Sequence, residues 1–527
     1  MATVNIASFL ARAALANADR PALIFPNPAR AASSLTFREL DELSSRMAAG
    51  LFDLGLRAGD RAIVLAPISP YLFAGLIALF KIGAAAVFLD PQAGIEQLDR
   101  VAELAEAKAF VGSRWAAWLR WISPNLRRTP LHLRVAGDGP RSLQGLALRA
   151  RSLMGIADVE PETPALITFT GGSTDTAGPR GVARTHRLLT AQHAAIARAF
   201  PWQPGDVDLP AFPIASLHNL ASGVTSVIPD FPFRRPDAVR PDRILRQIET
   251  FGVTTASGSP AYWWRIAEYC LARGRTLPLR RIITGGAPVA PRLTRLLSRA
   301  APRAEIFSAY GSTEAEPVAV MAAQDVLAET AALTAQGAGI PLGHPVPGLC
   351  ARVLDGQENP RGDGEAGEIW VAGDHVARAY FAAPRADAAN KRADPEGRVW
   401  HRMGDVGYED SRGQLWLLGR VNTVITRMGH ALYPVRVEAA VETLPFIRRA
   451  ALVGVPDKRL GERAVLVVEF ERRAWKPTDW RPRLRALCAD HGWPLDGIRA
   501  VPRVPVDARH NARIDYVRLR RALSGAN

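Results

Sequence analysis

Two segments rich in glycine and hydroxyl side chains, far apart in the chain, carry the residue types needed for phosphate chemistry. The first is Thr168-Phe-Thr-Gly-Gly-Ser-Thr-Asp-Thr-Ala-Gly-Pro-Arg-Gly181, directly after the apolar run Ala165-Leu-Ile. A strand that ends in glycines and hydroxyls, with a basic residue beyond, turns backbone N–H groups, O–H groups and a cation toward one space. Such donors suit a polyphosphate, because many short hydrogen bonds and a positive charge offset concentrated negative charge. The second is Ala309-Tyr-Gly-Ser-Thr-Glu-Ala-Glu316. It offers an aromatic face, hydroxyls and a carboxylate able to hold a divalent cation beside those phosphates. In this order the two segments point to an enzyme that uses ATP. The first lacks the Gly-Lys-Ser/Thr ending of the other common phosphate loop, which excludes that class. Taken alone, Gly171-Gly172 also reads as a hairpin turn.

These groups need a scaffold, and 527 residues predict a large domain with a smaller one. Apolar residues at 40, 43, 47, 51 and 54 predict a helix over Glu39 to Leu54, stopped by Gly55. The segment after Arg61 reads as a buried strand, Tyr71 to Phe80 as a helix, and the run beginning at Ala85 as a strand. Alternation continues through Ile248–Thr255, a helix near Trp263–Leu271, Arg281-Ile-Ile and Glu305-Ile-Phe-Ser. This pattern predicts α/β layers with mainly parallel sheets. After about residue 340, short strands between Gly- and Asp-rich turns predict a β-rich subdomain. From Val435 an α+β module follows: a helix at Glu438–Thr443, strands at Ala450–Val455 and Ala464–Phe470, a helix at Trp480–His491, and a basic tail. The expected division is 1–420 and 421–527, at Gly419-Arg-Val-Asn-Thr423.

Composition narrows the class. Hydrophobic content of 48% and charged content of 22% describe a globular protein. The longest apolar stretch, Phe73 to Phe88, contains Lys81 and two glycines, so no transmembrane segment is expected. The N-terminus reads as a surface helix rather than a targeting peptide, since Asp19 and Arg20 follow at once. Cys270, Cys350 and Cys488 lie far apart without ligand-like neighbours, which implies a reducing, cytoplasmic setting and neither disulfides nor zinc. The net charge of +15 comes almost wholly from arginine, dispersed along the chain. That dispersal reads as a solvated basic surface and not as a nucleic-acid site. Trp263-Trp264 reads as core or pocket wall.

Taken with Trp400-His-Arg-Met-Gly-Asp405 and Gly419-Arg-Val-Asn…Gly429…Pro434…Glu438, the two opening segments resemble, in order and spacing, the adenylate-forming superfamily of acyl-CoA synthetases and AMP-binding enzymes. The resemblance covers essentially the whole chain. In texture it is nearest to fatty-acid ligases and olefin-pathway β-lactone synthetases, through Phe212-Pro-Ile-Ala-Ser-Leu-His-Asn-Leu-Ala-Ser-Gly223, Gly285-Gly-Ala-Pro288, Glu314-Ala-Glu-Pro317 and Asp507-Ala-Arg-His-Asn-Ala-Arg-Ile514.

The resemblance implies ATP, Mg²⁺ and a carboxylic acid as participants, with coenzyme A or a carrier-protein pantetheine as acceptor. Thr170, Gly172, Ser173, Thr174 and Arg180 would grip the phosphates, and Glu314 would hold Mg²⁺. Tyr310 would pack on adenine with Gly286, Ala287, Gly311 and Ser312 nearby, and Thr313 would touch the α-phosphate. Asp405 would take the ribose hydroxyls, assisted by Arg420. Ser216, His218, Gly285 and Gly311 would line the acid site, although a lone histidine is more often structural. Glu316 would be either a neighbour of the metal or a solvated side chain. Asn422 would be the hinge of a mobile C-terminal domain that brings Arg513 to the reacting groups.

Three departures stand out. The phosphate segment is longer than usual, with Asp175 where glycine is expected. Arg180 and Arg513 stand where relatives carry lysine, and Asn422 stands where they carry Asp or Lys. Thiol transfer leads as the expected second step. The alternatives are β-lactone closure of a β-hydroxy acid, carrier-protein loading, and an inactive nucleotide- or acyl-binding homologue.

Overall fold

The computed structural model describes residues 4–27, 31–89, 94–170, 179–233, 235–471, 476–507 and 513–525. Among them three sheets form, of fourteen, seven and five strands. The seven-stranded sheet has Arg61–Leu65, Ala85–Leu89 and Ala109–Gly112 side by side and parallel. Its alternating residues go to different cores: Ala62, Val64 and Ala86 to one, Ile63, Val87 and Phe110 to the other. Both faces are therefore covered by helices, which is why these strands read as continuous apolar runs. The helix Phe37–Asp53 starts at a capping box in which Thr36 and Glu39 satisfy each other's backbone N–H groups. Gly55 follows it at φ +94, the left-handed conformation that stops a helix.

The largest sheet carries the parallel strands Thr255–Gly258, Arg281–Gly285 and Glu305–Ser312, then turns antiparallel through Ala315–Ala322 into the β-rich part. Helices Pro241–Thr250, Pro260–Leu271 and Pro291–Ala300 pack one side of its parallel half. The segment expected at Ile248–Thr255 is split, with the helix running to Thr250 and the strand starting at Thr255. The apolar spacing belonged to the helix end, since Ile248 packs in that core. Trp263 is fully buried and donates to the Ile283 carbonyl at 3.1 Å, whereas Trp264 borders the cleft described below. Lys81, which interrupts the apolar run, is buried and held by Asp41 (2.7 Å) and Ser45 (2.6 Å). A charge can be buried at that depth only when paired and hydrogen-bonded in this way.

The five-stranded sheet is built wholly from residues 425–500, and a short 3-10 turn, Val421–Thr423, precedes it. Its first helix is Pro434–Val441, four residues earlier in the chain than the sequence pattern implied. Pro434, with its fixed φ and missing N–H, suits the first helical position. Val435 and Ala439 on this helix pack into the core of the β-rich part, and Arg292 of the large part pairs with Glu471 at 2.9 Å. Inside the module, buried Glu438 accepts from the Leu452 N–H (2.8 Å) and meets the Tyr516 hydroxyl with both oxygens (2.8 and 2.9 Å). Burial pushes its carboxyl up to about 8, more than its hydrogen bonds lower it.

An acid raised in the folded chain keeps its proton while the unfolded chain has already lost it. Its stabilising effect is therefore full below the ordinary carboxyl range and is lost as pH rises to about 8. Glu438→Gln, whose amide mimics the protonated acid, should unfold at a higher temperature than the parent at pH 8. At pH 3.5, below the ordinary carboxyl range, the difference should vanish, and parallel melts at the two pH values check this.

Candidate active site

The carboxyl ends of the parallel strands open on a cleft of about 3040 Å³ between the large part and the C-terminal module. Such crevices are the usual ligand site of open α/β sheets. Strand Pro164–Thr170 pairs antiparallel with Arg180–Thr185, and Thr170 stands opposite Arg180. The two ends of the glycine–hydroxyl segment are thus side by side, while Gly171-Gly172, which taken alone reads as a hairpin turn, lies outside the described residues. Gly172, Ser173, Thr174 and Asp175 lie outside the described residues, as does the Thr170 side chain. Arg180 lines the cleft and hydrogen-bonds the Tyr380 hydroxyl.

The second segment reaches the same cleft from another sheet. Tyr310, Gly311, Ser312, Thr313 and Glu314 all line it. At Gly285 an added Cβ would stand 2.6 Å from the Ala309 carbonyl, so only glycine lets these two strands lie so close. The Tyr310 hydroxyl donates to Asp405 Oδ2 at 2.7 Å, and Arg420 donates to Oδ1 at 2.8 Å. The Asp405 carboxylate is buried between them. Arg420 is fixed further by the Met403 carbonyl at 3.2 Å. This register is set by pairing of strands Val399–Glu409 and Leu415–Arg420, in which Asp405 faces Arg420 directly. Half-buried Tyr310 is pushed far above the ordinary phenol range, first by loss of solvent around its hydroxyl and then by Asp405. It remains a neutral donor.

Glu314 sits among groups that sequence reasoning missed. Its Oε1 accepts from the Tyr380 hydroxyl at 3.0 Å. Burial opposes its charge, but His401, Lys391 and the hydrogen bonds outweigh that and hold its carboxyl below the usual range. Lys391 is buried, donates to the Ala377 carbonyl, and is pushed down to about 8 by burial. His401 is driven to about 4, so it is neutral at pH 7. Tyr380, Lys391 and His401 are 66 to 87 residues away from Glu314, and no short motif joins them. Glu316 is exposed.

Arg184 is a further unforeseen residue. Its guanidinium donates to Thr168 Oγ1 and to the Thr313 carbonyl, both at 3.1 Å. It therefore ties the strand leading into the first segment to the backbone of the second.

The far wall is apolar, with Leu72, Phe73, Leu76 and Phe88. His218 also lines the cleft; Ser216 does not. Ser216 is fully buried on the opposite side of helix Ala215–Ala221, which corrects its expected place in the acid site. Residues two apart on a helix face apart. Trp202 Nε1–H donates to His218 Nε2 at 3.3 Å, and His218 Nδ1 lies 3.0 Å from His193 Nδ1. Because an indole only donates, His218 carries its proton on Nδ1 and gives it to His193. Burial drives His218 down to about 3, so this chain stays neutral.

The C-terminal module closes the cleft. Gly286, Ala287, Asn422 and Arg513 line it, and Arg513 Nε donates to the Gly286 carbonyl at 3.0 Å. One space thus holds cations, neutral donors, a carboxylate pair-acceptor and an apolar wall, drawn from both parts of the chain.

That combination of fold and site defines an adenylate-forming enzyme, one that activates a small-molecule carboxylic acid with ATP. The chain belongs to the AMP-binding enzyme family, which it matches over residues 10–381. It is 37% identical over 510 residues to an olefin beta-lactone synthetase of Stenotrophomonas maltophilia, covering 92% of this chain and 90% of that protein. A second olefin beta-lactone synthetase, from Xanthomonas campestris, is 35% identical over 98% of this chain and 96% of its own length. Among solved structures, the amide bond synthetase McbA of Marinactinospora thermotolerans superposes with a TM-score of 0.83 at 24% identity, over 98% of this chain and 100% of that one. That likeness concerns the fold. No helix among the described residues is long and apolar enough to cross a membrane.

Proposed function

We propose that this chain converts a β-hydroxy fatty acid into a β-lactone in two steps, through an acyl-adenylate. The observation that carries the proposal is the end-to-end similarity to two olefin beta-lactone synthetases. It moves lactone closure ahead of the thiol transfer that the sequence alone placed first.

In the first step a carboxylate oxygen attacks the α-phosphorus of ATP, the bond to the β-phosphate breaks, and pyrophosphate leaves. Two anions must meet while charge builds on the leaving group, so positioned cations and donors supply most of the help. Arg180 and the segment containing Thr174 would hold the β- and γ-phosphates, with Thr313 near the α-phosphate. Asp405 would accept from the ribose hydroxyls while Arg420 pairs with it at 2.8 Å. Arg513 would approach the carboxylate and α-phosphate. Glu314 fits as a Mg²⁺ ligand, because its carboxyl stays ionised and this ion commonly takes one or two carboxylates alongside substrate phosphates. When bound, Mg²⁺ supplies charge neutralisation to the polyphosphate.

In the second step the β-hydroxyl oxygen attacks the acyl carbon, the bond to AMP breaks, and the hydroxyl proton is lost to solvent. Both reacting groups belong to one molecule, so closure gains from proximity and needs no thiol. His218 and Gly285 would border the acyl group. The domain division at 420/421, a swing about Asn422 and a cytoplasmic setting form part of this reading.

The test is incubation of the protein with ATP, Mg²⁺ and a 3-hydroxy fatty acid, with and without coenzyme A. Lactone and AMP in the thiol-free reaction are expected, at a rate that coenzyme A does not raise. Thioester formed only with coenzyme A, or with an acyl carrier protein, would replace this reading by the ligase one. ATP binding without acid-dependent pyrophosphate exchange would identify an inactive homologue.

A further inference from the structure

The 3-10 helix Ala116–Trp121 follows the carboxyl end of strand Ala109–Gly112. Side chains three apart eclipse in a 3-10 helix, so Trp115, Trp118 and Trp121 share one edge. That edge faces water: the three are 59%, 72% and 61% exposed, and Ile122 beside them is 63% exposed. The opposite edge is anchored, with Ala116 fully buried and Leu119 packed on the same core as Phe110. The element is therefore fixed, and it displays its apolar side by construction. Four large apolar side chains displayed to water within eight residues of a folded chain mark an interaction surface.

The charge around the patch indicates what it meets. Residues 114–128 contain Arg114, Arg120, Arg127 and Arg128 and no acidic side chain. Arg114, Arg127 and Arg128 are exposed, and the Arg120 guanidinium lies 5.0 Å from the Trp121 ring centre. On the neighbouring helix Ile95–Ala105, which also carries exposed Glu96 and Glu103, Asp99 is engaged by Ser123 Oγ (2.6 Å) and the Asn125 N–H (2.9 Å). Indoles pair an apolar body with a polar N–H and favour the boundary between headgroups and acyl chains. Arginines beside them favour anionic headgroups. A symmetric contact between two copies would set the same arginines against one another, which argues against self-association. Trp115 also lines the cleft, in company with Leu65, Pro67 and Phe88. The patch and the apolar end of the cleft are thus continuous.

We propose that Trp118, Trp121 and Ile122, flanked by Arg114, Arg127 and Arg128, dock this protein on the surface of an anionic lipid bilayer. The adjoining apolar side of the cleft is then turned toward the membrane. Passage of an acyl acid from bilayer to cleft rests on the fatty-acid reading above; docking itself does not.

The full-length protein is to be mixed with vesicles of phosphatidylcholine containing phosphatidylglycerol, or of phosphatidylcholine alone, and followed by sedimentation and tryptophan fluorescence. At low salt the expected result is partition into the anionic vesicles about tenfold or more above that into neutral ones, with a blue shift, weakening as salt is added. The double substitution Trp118→Ala/Trp121→Ala should lower that partition by about tenfold or more, since two exposed indoles lose their burial. Its pyrophosphate exchange with a water-soluble short-chain acid should match the parent, which shows the variant is folded. Absence of partition by the parent, or equal partition by the double variant, would overturn the proposal. So would a concentration-dependent dimer, or a protein complex, that the variant abolishes while lipid binding is missing. Vesicle binding by a protein that shows no exchange with any acid would support docking and remove the acid-activation reading alone.

Discussion

Asp405→Ala is expected to lower acid-dependent pyrophosphate exchange on the order of 10³-fold in kcat/KM. On the proposed reading the carboxylate makes two charged hydrogen bonds to the ribose, each contributing about 1.5–3 kcal/mol. The substitution also strands the Arg420 guanidinium that Asp405 neutralises at 2.8 Å and the Tyr310 hydroxyl at 2.7 Å. Tyr310→Phe separates the two effects, because it removes one neutral hydroxyl and leaves the Asp405–Arg420 pair intact. Its loss should stay within about tenfold, the range of a single neutral hydrogen bond. Steady-state exchange over a range of ATP concentrations makes the comparison. If Asp405→Ala exchanges like the parent, the nucleotide does not lie where these residues converge.

Arg513→Ala is the second large effect, and it should divide the reaction. Pyrophosphate exchange should fall about 10²–10³-fold, the usual cost of removing one positioned group from a developing anion. Turnover of an acyl-adenylate supplied ready-made should change little, because bond formation at phosphorus is already complete. Arg513→Lys should recover most of the exchange, since the charge returns even though the planar head does not. In the structure the arginine spends one donor, Nε, on the Gly286 carbonyl at 3.0 Å. A lysine there has a single nitrogen for both tasks. An alanine variant that exchanges normally but fails on the supplied adenylate would place Arg513 in the second step instead.

Much of this architecture was legible in the sequence because it rests on local rules. The helix expected over Glu39 to Leu54, its stop at Gly55 and the strand that leads into the first glycine segment are all written in neighbouring residues. Tyr310, Glu314, Asp405, Arg420 and Arg513, taken from separate motifs, line one cleft. What stayed hidden depends on distance or on an unusual period. Arg184 reaches the Thr313 backbone across 129 positions, and Lys391 and His401 come to Glu314 through sheet pairing. The tryptophans at 115, 118 and 121 recur every three residues, a spacing that fits neither the α-helical nor the strand template. Ser216 failed for a simpler reason: a motif places a helix at the site but does not say which of its sides faces in.

The choice of arginine at the Gly286 contact bears on the enzyme's chemical safety. Acyl-adenylates are mixed anhydrides, and a neighbouring amine that sheds its proton becomes a target for them. A guanidinium keeps its proton throughout the physiological range and has no electron pair to offer. Stationed beside such an anhydride, Arg513 would provide the positive charge without the risk of covalent self-labelling and slow suicide.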